Sequence, residues 1–294
     1  MITSDNIVAD LHTYITPIGY STAWQNIRQA EKNSRKFIGI AELYDGTGDK
    51  ASKEHLVRHL LNMRKIRDAV RVIPCLDINL GQSIELPYEL KDIRLKYGVL
   101  SDMYWSVKHH TLADLQGIIK THVSRGDVNV ISTPEKELEY IQGGKNGTGL
   151  YTGLKEHLDW LVEYAKKNRV YLEASEESAR TNEGSRREML VYWLKRAMEN
   201  NNPIILSSNA KYCGDVGKFE YLLYILNKIG YPKEYIINCN SNLIESQFIV
   251  KDPMDIMEVD SSIGFECRSE HKRSRQNTSD ILSMKSHISF EDKK

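Results

Sequence analysis

Short β-branched runs alternate with longer amphipathic stretches over most of this chain, and that alternation restricts the fold more than any other feature. The runs are Ile7-Val8-Ala9, Phe37-Ile38-Gly39-Ile40, Val70-Arg71-Val72-Ile73, Met103-Tyr104-Trp105, Val128-Asn129-Val130-Ile131, Val170-Tyr171-Leu172 and Ile204-Ile205-Leu206, with a weaker eighth at Tyr235-Ile236-Ile237. Between them, helical stretches run from about Thr22 to Lys32 and from about Ser52 to Asp68. In the second, Leu56, Leu60, Met63 and Ile66 recur at helical spacing. Further helices are expected to start near Leu112, Leu154, Ser185, Gly217 and Ser241. Strand–helix alternation at this rate predicts βα units on a parallel sheet. Seven or eight units suggest a closed or nearly closed α/β barrel, and an open doubly wound sheet is the alternative. The alternation stops after Asp252-Pro253. A barrel domain is therefore expected over residues 1–251, followed by a flexible tail over 252–294 that is rich in Ser, Lys, Arg, Glu and Asp.

Charge and composition exclude several classes of function. Lys and Arg number 40 and Asp and Glu number 40, so the formal net charge is zero. That balance argues against a general nucleic-acid or anionic-membrane binder. Only the tail cluster Arg268, His271, Lys272, Arg273 and Arg275 could touch a nucleic acid or an acidic partner, and a solvated tail is the simpler reading. No apolar run is long enough to cross a bilayer. The opening Met-Ile-Thr-Ser-Asp-Asn has no basic segment followed by an apolar one, so a cytoplasmic protein is expected. Cys75, Cys213, Cys239 and Cys267 are scattered, as reduced apolar fillers would be. The glycine-rich stretch Gly143–Gly149 does not make a P-loop. Glu139 stands where the first glycine would be, and Asn146 stands where Ser or Thr is required. Arg180, Arg186 and Arg187 suit either a site rim or an exposed helix start.

The chemistry should lie just past the C-terminal ends of the strands. Asp10-Leu11-His12-Thr13-Tyr14 follows the first run, Ala41-Glu42-Leu43 the second and Cys75-Leu76-Asp77 the third. Lys108-His109-His110 follows the fourth and Ser132-Thr133-Pro134 the fifth. The sixth ends in Glu173, and Ser208-Asn209-Ala210-Lys211 follows the seventh. Metal-competent side chains thus recur at one end of successive strands. One such histidine alone would more often be a hydrogen-bonded structural residue. Of the adjacent His109 and His110, at most one can face a pocket.

Taken together, these segments resemble the motifs of the PHP (polymerase and histidinol phosphatase) superfamily. Asp10-Leu11-His12-Thr13-Tyr14 resembles its opening Asp-x-His-x-His, and Tyr20-Ser21-Thr22 resembles its Tyr-Ser-Thr. Ala41-Glu42-Leu43 sits where the family has Thr-Asp-His, and Asp77 where it has a bridging Glu. His109 matches a ligand histidine. Ser132-Thr133-Pro134 matches Ser-His-Pro, and Ser208-Asn209-Ala210-Lys211 matches Ser-Asp-Ser-His. The resemblance runs from about residue 5 to 250 and is nearest to the small stand-alone bacterial phosphatases. It implies a distorted seven-stranded (βα) barrel, with mostly parallel strands, that holds up to three divalent metals against a phosphate ester.

Most of the implied ligands are replaced. His12 and His109 stand, and Asp77 keeps a carboxylate one methylene shorter. Tyr14, Ile18, Leu43, Thr133, Asn209 and Lys211 occupy the other ligand positions. Ile18 and Leu43 offer no lone pair, and the Lys211 ammonium would repel a divalent ion. The resemblance then implies a degenerate phosphoesterase that binds a small phosphorylated ligand or a protein partner. Lys211, Tyr14 and Glu42 would be its contacts. The alternative is a residual phosphoesterase using one weakly held Zn²⁺ or Mn²⁺ at His12, Asp77, His109 and Asn209, with His109 and Asp77 catalytic. Lys211 is also expected to supply the missing positive charge among Asp10, Glu42 and Asp77.

Overall fold

A computed structural model of the chain describes residues 1–44, 50–63, 65–66, 68–80, 86–99, 112–135, 149–181 and 184–249. Seven strands form one sheet in sequential order: β1 (Ala9–Tyr14), β2 (Phe37–Tyr44), β3 (Arg71–Asn79), β4 (Leu95–Val99), β5 (Val130–Ser132), β6 (Tyr171–Ser175) and β7 (Ile204–Ser207). Every neighbouring pair is parallel. Helices connect and flank them: α1 (Ala23–Lys32), α2 (Lys50–Met63), α3 (Leu112–Ser124), α4 (Gly149–Asn168), α5 (Glu176–Arg180), α6 (Gly184–Glu199), α7 (Glu220–Ile229) and α8 (Ser241–Phe248). This is the nearly closed α/β barrel that the alternation predicts. Among the described residues no helix is long and apolar enough to cross a membrane. The glycine-rich stretch from 143 to 148 and the tail from 252 lie outside the described residues.

The seam between β1 and β7 is closed by side-chain chemistry. Asn238 is fully buried, donates through Nδ2 to Leu206 O at 2.7 Å and Ala9 O at 3.0 Å, and accepts from Leu206 N at 2.7 Å. Its own carbonyl accepts from Val8 N at 2.8 Å. One amide therefore satisfies backbone groups on both edges, which would otherwise be buried without partners. Nearer the mouth, Tyr14 N donates to Ala210 O at 2.9 Å and Asn209 N to His12 O at 3.1 Å. The weak eighth run is not a strand of the sheet. Short 3-10 turns surround it, and Ile236 makes only an isolated bridge to Ile204.

The fourth strand also departs from expectation. It is Leu95–Val99, and the Met103–Trp105 run lies outside the described residues. Leu-Lys-Tyr-Gly-Val lacks a β-branched cluster, and its strand character comes from the neighbours it pairs with, Cys75–Asn79 and Val130–Ile131. The other strands run further towards their C-termini than their apolar runs suggest. As a result His12, Glu42 and Asp77 sit in strands rather than after them.

One irregularity positions the site. Asp10 pairs with Ile38 but Thr13 pairs with Ile40, so Leu11 and His12 together stand opposite Gly39. This is a β-bulge, and it breaks the period-two alternation of side chains. Without it, His12 would point away from the face that Ala9 and Leu11 share inside the barrel. Gly39 is what admits the bulge: a Cβ there would lie 2.0 Å from Leu11 O.

Candidate functional site

His12 is the centre of the barrel mouth and is fully buried. Its Nδ1 lies 2.8 Å from Glu173 Oε1 on β6. Its Nε2 lies 3.0 and 3.2 Å from the two oxygens of Asp77 on β3. The ring stacks on Tyr97 of β4 with centroids 4.0 Å apart, and Tyr97 in turn donates its hydroxyl to Leu11 O at 2.7 Å. Tyr14 donates its hydroxyl to Asp77 Oδ2 at 2.8 Å. Four strands thus fix one imidazole between two carboxylates.

The electrostatics follow from that arrangement. Burial alone would lower the His12 pKa, but Asp77 and Glu173 outweigh it and push it up to about 10. Both ring nitrogens then carry protons, and each donates to a carboxylate. For Glu173, burial acts to raise the pKa, yet the His12 charge and hydrogen bonds hold it below the usual carboxylate range. Burial, and then Asp77, raise the Tyr14 phenol well above its ordinary value. Glu42, on β2, is pushed up to about 7 by burial and then by the Asp77 charge. His59 of α2 lies 3.2 Å away from Glu42, and its own pKa is lowered by burial and by His55. Near neutral pH, Glu42 can therefore gain or lose a proton.

The residues expected at the site are partly assembled. His12, Asp77 and Tyr14 converge, and Glu42 borders them. Asn209 is buried at the end of β7 in the left-handed region at φ 52°, and its Nδ2 donates to Glu177. Lys211 is exposed and forms no ion pair among the described residues, so it does not neutralise the carboxylates as expected. The His12 imidazolium supplies that charge instead. Asp10 does not face Lys211 either: it accepts from Ser208 N at 2.9 Å and Gly217 N at 2.7 Å, which ties the β7 loop to β1. His109 lies outside the described residues, well beyond the end of β4 at Val99. Thr133 is buried, while Ile18 and Leu43 are half-buried.

These side chains do not fit the divalent metals that the family resemblance implies. An imidazole ligates through a free nitrogen lone pair, and both of His12's nitrogens are engaged by carboxylates, Nδ1 by Glu173 and Nε2 by Asp77. Among the described residues no three His, Cys, Asp or Glu side chains are grouped so as to hold a metal ion. Glu173 is the partner that sequence reasoning left without a role. Its signal was available, as a lone carboxylate in an otherwise apolar strand.

Glu176, Glu177, Arg180, Arg186, Asn209 and Lys211 line a cleft of ≈ 450 Å³ beside this centre. It opens past the C-terminal ends of β6 and β7, and of the three arginines that suit either a rim or an exposed helix start, Arg180 and Arg186 line it.

No family model matches the chain, and no curated protein matches it. Among solved structures it is similar to the histidinol phosphate phosphatase of Lactococcus lactis subsp. lactis Il1403, solved with zinc, L-histidinol and phosphate. The TM-score is 0.51 at 11% identity, covering 76% of this chain and 94% of that one. A chain of an archaeal ribonuclease P complex with mature tRNA matches at TM-score 0.47 and 15% identity, covering 90% of this chain and 99% of that one. At such identities the first likeness concerns the fold alone.

Proposed function

We propose that this chain is a PHP-type barrel in which multi-metal phosphoester hydrolysis has given way to binding of a small phosphorylated ligand at the barrel mouth. The observation that carries the reading is the state of His12. The one opening-motif histidine that remains is engaged at both nitrogens by Asp77 and Glu173. Replacement of the other implied ligands by Ile18, Leu43 and Thr133 supports it further, since none of these offers a metal a charged or imidazole donor. The barrel fold shared with a phosphatase that is solved with phosphate and zinc accords with descent from such an enzyme. What remains is a polar cleft at the strand ends whose cations and carboxylates balance in number, with Lys211 as a cation that makes no ion pair among the described residues and can meet an anion.

The test is metal content combined with turnover. Purified protein is expected to carry clearly less than one equivalent of zinc or manganese, and to hydrolyse generic phosphate esters negligibly when either is added. Turnover that rises with added metal and vanishes in His12→Ala would refute the reading in favour of a residual phosphoesterase.

A further inference from the structure

We infer that the cleft beside the barrel mouth takes a mononucleotide, with its phosphate at Lys211 and its base on Tyr212. This rests on the ligand-binding reading above and names the class of ligand.

The lining residues divide into those already committed and those still available. Glu176 gives its oxygens to Tyr221 N at 3.0 Å and Leu222 N at 2.8 Å, capping α7. Asp215 accepts from Arg180 Nη1 at 3.3 Å. Glu177 accepts from Asn209 Nδ2. The carboxylates of the cleft are thus occupied within the protein. Lys211 is exposed with no ion pair among the described residues, which leaves its ammonium for an anion.

Asn209 adds an independent pointer. It is more than nine-tenths buried and lines the cleft, yet its Oδ1 has no hydrogen-bond partner. Its orientation is fixed by Glu177: an acidic acceptor requires Nδ2, which leaves Oδ1 as the unpaired atom. An unpaired buried carbonyl is costly and is relieved by a donor from a ligand. A ribose hydroxyl is such a donor.

The third feature is aromatic. Tyr212 lines the same cleft and stacks on Tyr20, with centroids 4.6 Å apart and planes 19° from parallel. Both rings are largely exposed, at 57% and 67%. A paired, solvent-exposed tyrosine stack next to an unpaired cation and an unpaired acceptor matches the three parts of a nucleotide. Every nucleobase has a π-face, so stacking of this kind tolerates any base.

The experiment is calorimetric titration of the full chain with inorganic phosphate, ribose 5-phosphate, AMP and UMP. Both nucleotides are expected to bind about tenfold or more tightly than ribose 5-phosphate. Tyr212→Ala should abolish that advantage and leave ribose 5-phosphate unchanged, while Tyr212→Phe keeps it. Lys211→Met should weaken every probe without shifting the melting midpoint, since the side chain is exposed. Equal affinity for AMP and ribose 5-phosphate, or an AMP affinity insensitive to Tyr212→Ala, overturns the nucleotide inference and leaves ligand binding standing. Absence of binding by every probe at millimolar concentration overturns both.

Discussion

Replacing His12 by leucine tests the charge arrangement at its centre. The substitution removes the cation and leaves Asp77 and Glu173 facing each other in a buried site. Removing one partner from a buried, hydrogen-bonded ion pair costs ~3–5 kcal/mol. A shift of the His12 pKa from 6.5 to about 10 describes the same coupling from the proton's side. At 1.36 kcal/mol per pH unit it corresponds to roughly 5 kcal/mol, and the two figures are not additive. The sign with pH follows from the direction of each shift. His12 is raised, so its contribution is complete below about 6.5 and is lost as pH climbs towards about 10. Glu173 is lowered, so its contribution is present above its ordinary value and is lost as pH falls. In the variant, falling pH protonates the stranded carboxylates and relieves their repulsion. Urea melts from pH 5 to 10 should therefore show the widest gap between the two proteins near neutrality, narrowing on both sides. A gap under about 1 kcal/mol at pH 7, flat with pH, would refute the imidazolium. So would nitrogen NMR showing a His12 ring with only one N–H at pH 7.

Two further substitutions probe the frame that holds the site. Asn238→Ala removes three hydrogen bonds and strands backbone groups on both edges of the β1–β7 seam. At ~1–3 kcal/mol per buried group left unsatisfied, it should cost several kcal/mol, read as an early thermal midpoint and faster amide exchange in β1 and β7. Gly39→Ala places a methyl 2.0 Å from Leu11 O and 2.9 Å from Cys75 Sγ. It should destabilise the fold by ~1–3 kcal/mol or more and displace the bulge, visible as loss of the ring-current shift that Tyr97 imposes on His12.

The fold was more legible in the sequence than the site was. Parallel strands buried on both faces read as short apolar runs, so six of the seven strands announce themselves through Val, Ile and Leu. β4 does not, because Leu95–Val99 relies on its pairing with β3 and β5 rather than on its own composition. The strand ends were read too early for the same reason: a polar residue pointing into a barrel mouth looks like the start of a loop. At the site, residue types were visible but their partners were not. Lys211 was credited with a charge that His12 carries, because nothing in the sequence reveals that the β1 bulge turns His12 towards Glu173 and Asp77. Glu173 is 161 positions from His12 in the chain, and only barrel closure brings them together.

The position of His12 between two carboxylates has a physical explanation that needs no metal. Asp77 and Glu173 are buried, and two buried carboxylates cannot both stay ionised without a cation between them. A divalent ion is one solution. A proton on an imidazole held at 2.8 Å from one carboxylate and 3.0 Å from the other is another, and it comes from the chain itself. The remaining pressure is absorbed locally. Tyr14 donates a hydrogen bond to Asp77, and Glu42 keeps its proton up to about pH 7. A metal entering this centre would have to displace the His12 proton from a group that holds it to about pH 10. Metal binding would therefore be opposed most strongly at and below neutral pH. The same residue type at the same strand position is thus compatible with two opposite roles, and a proton or a metal at Nε2, beside Asp77, distinguishes them.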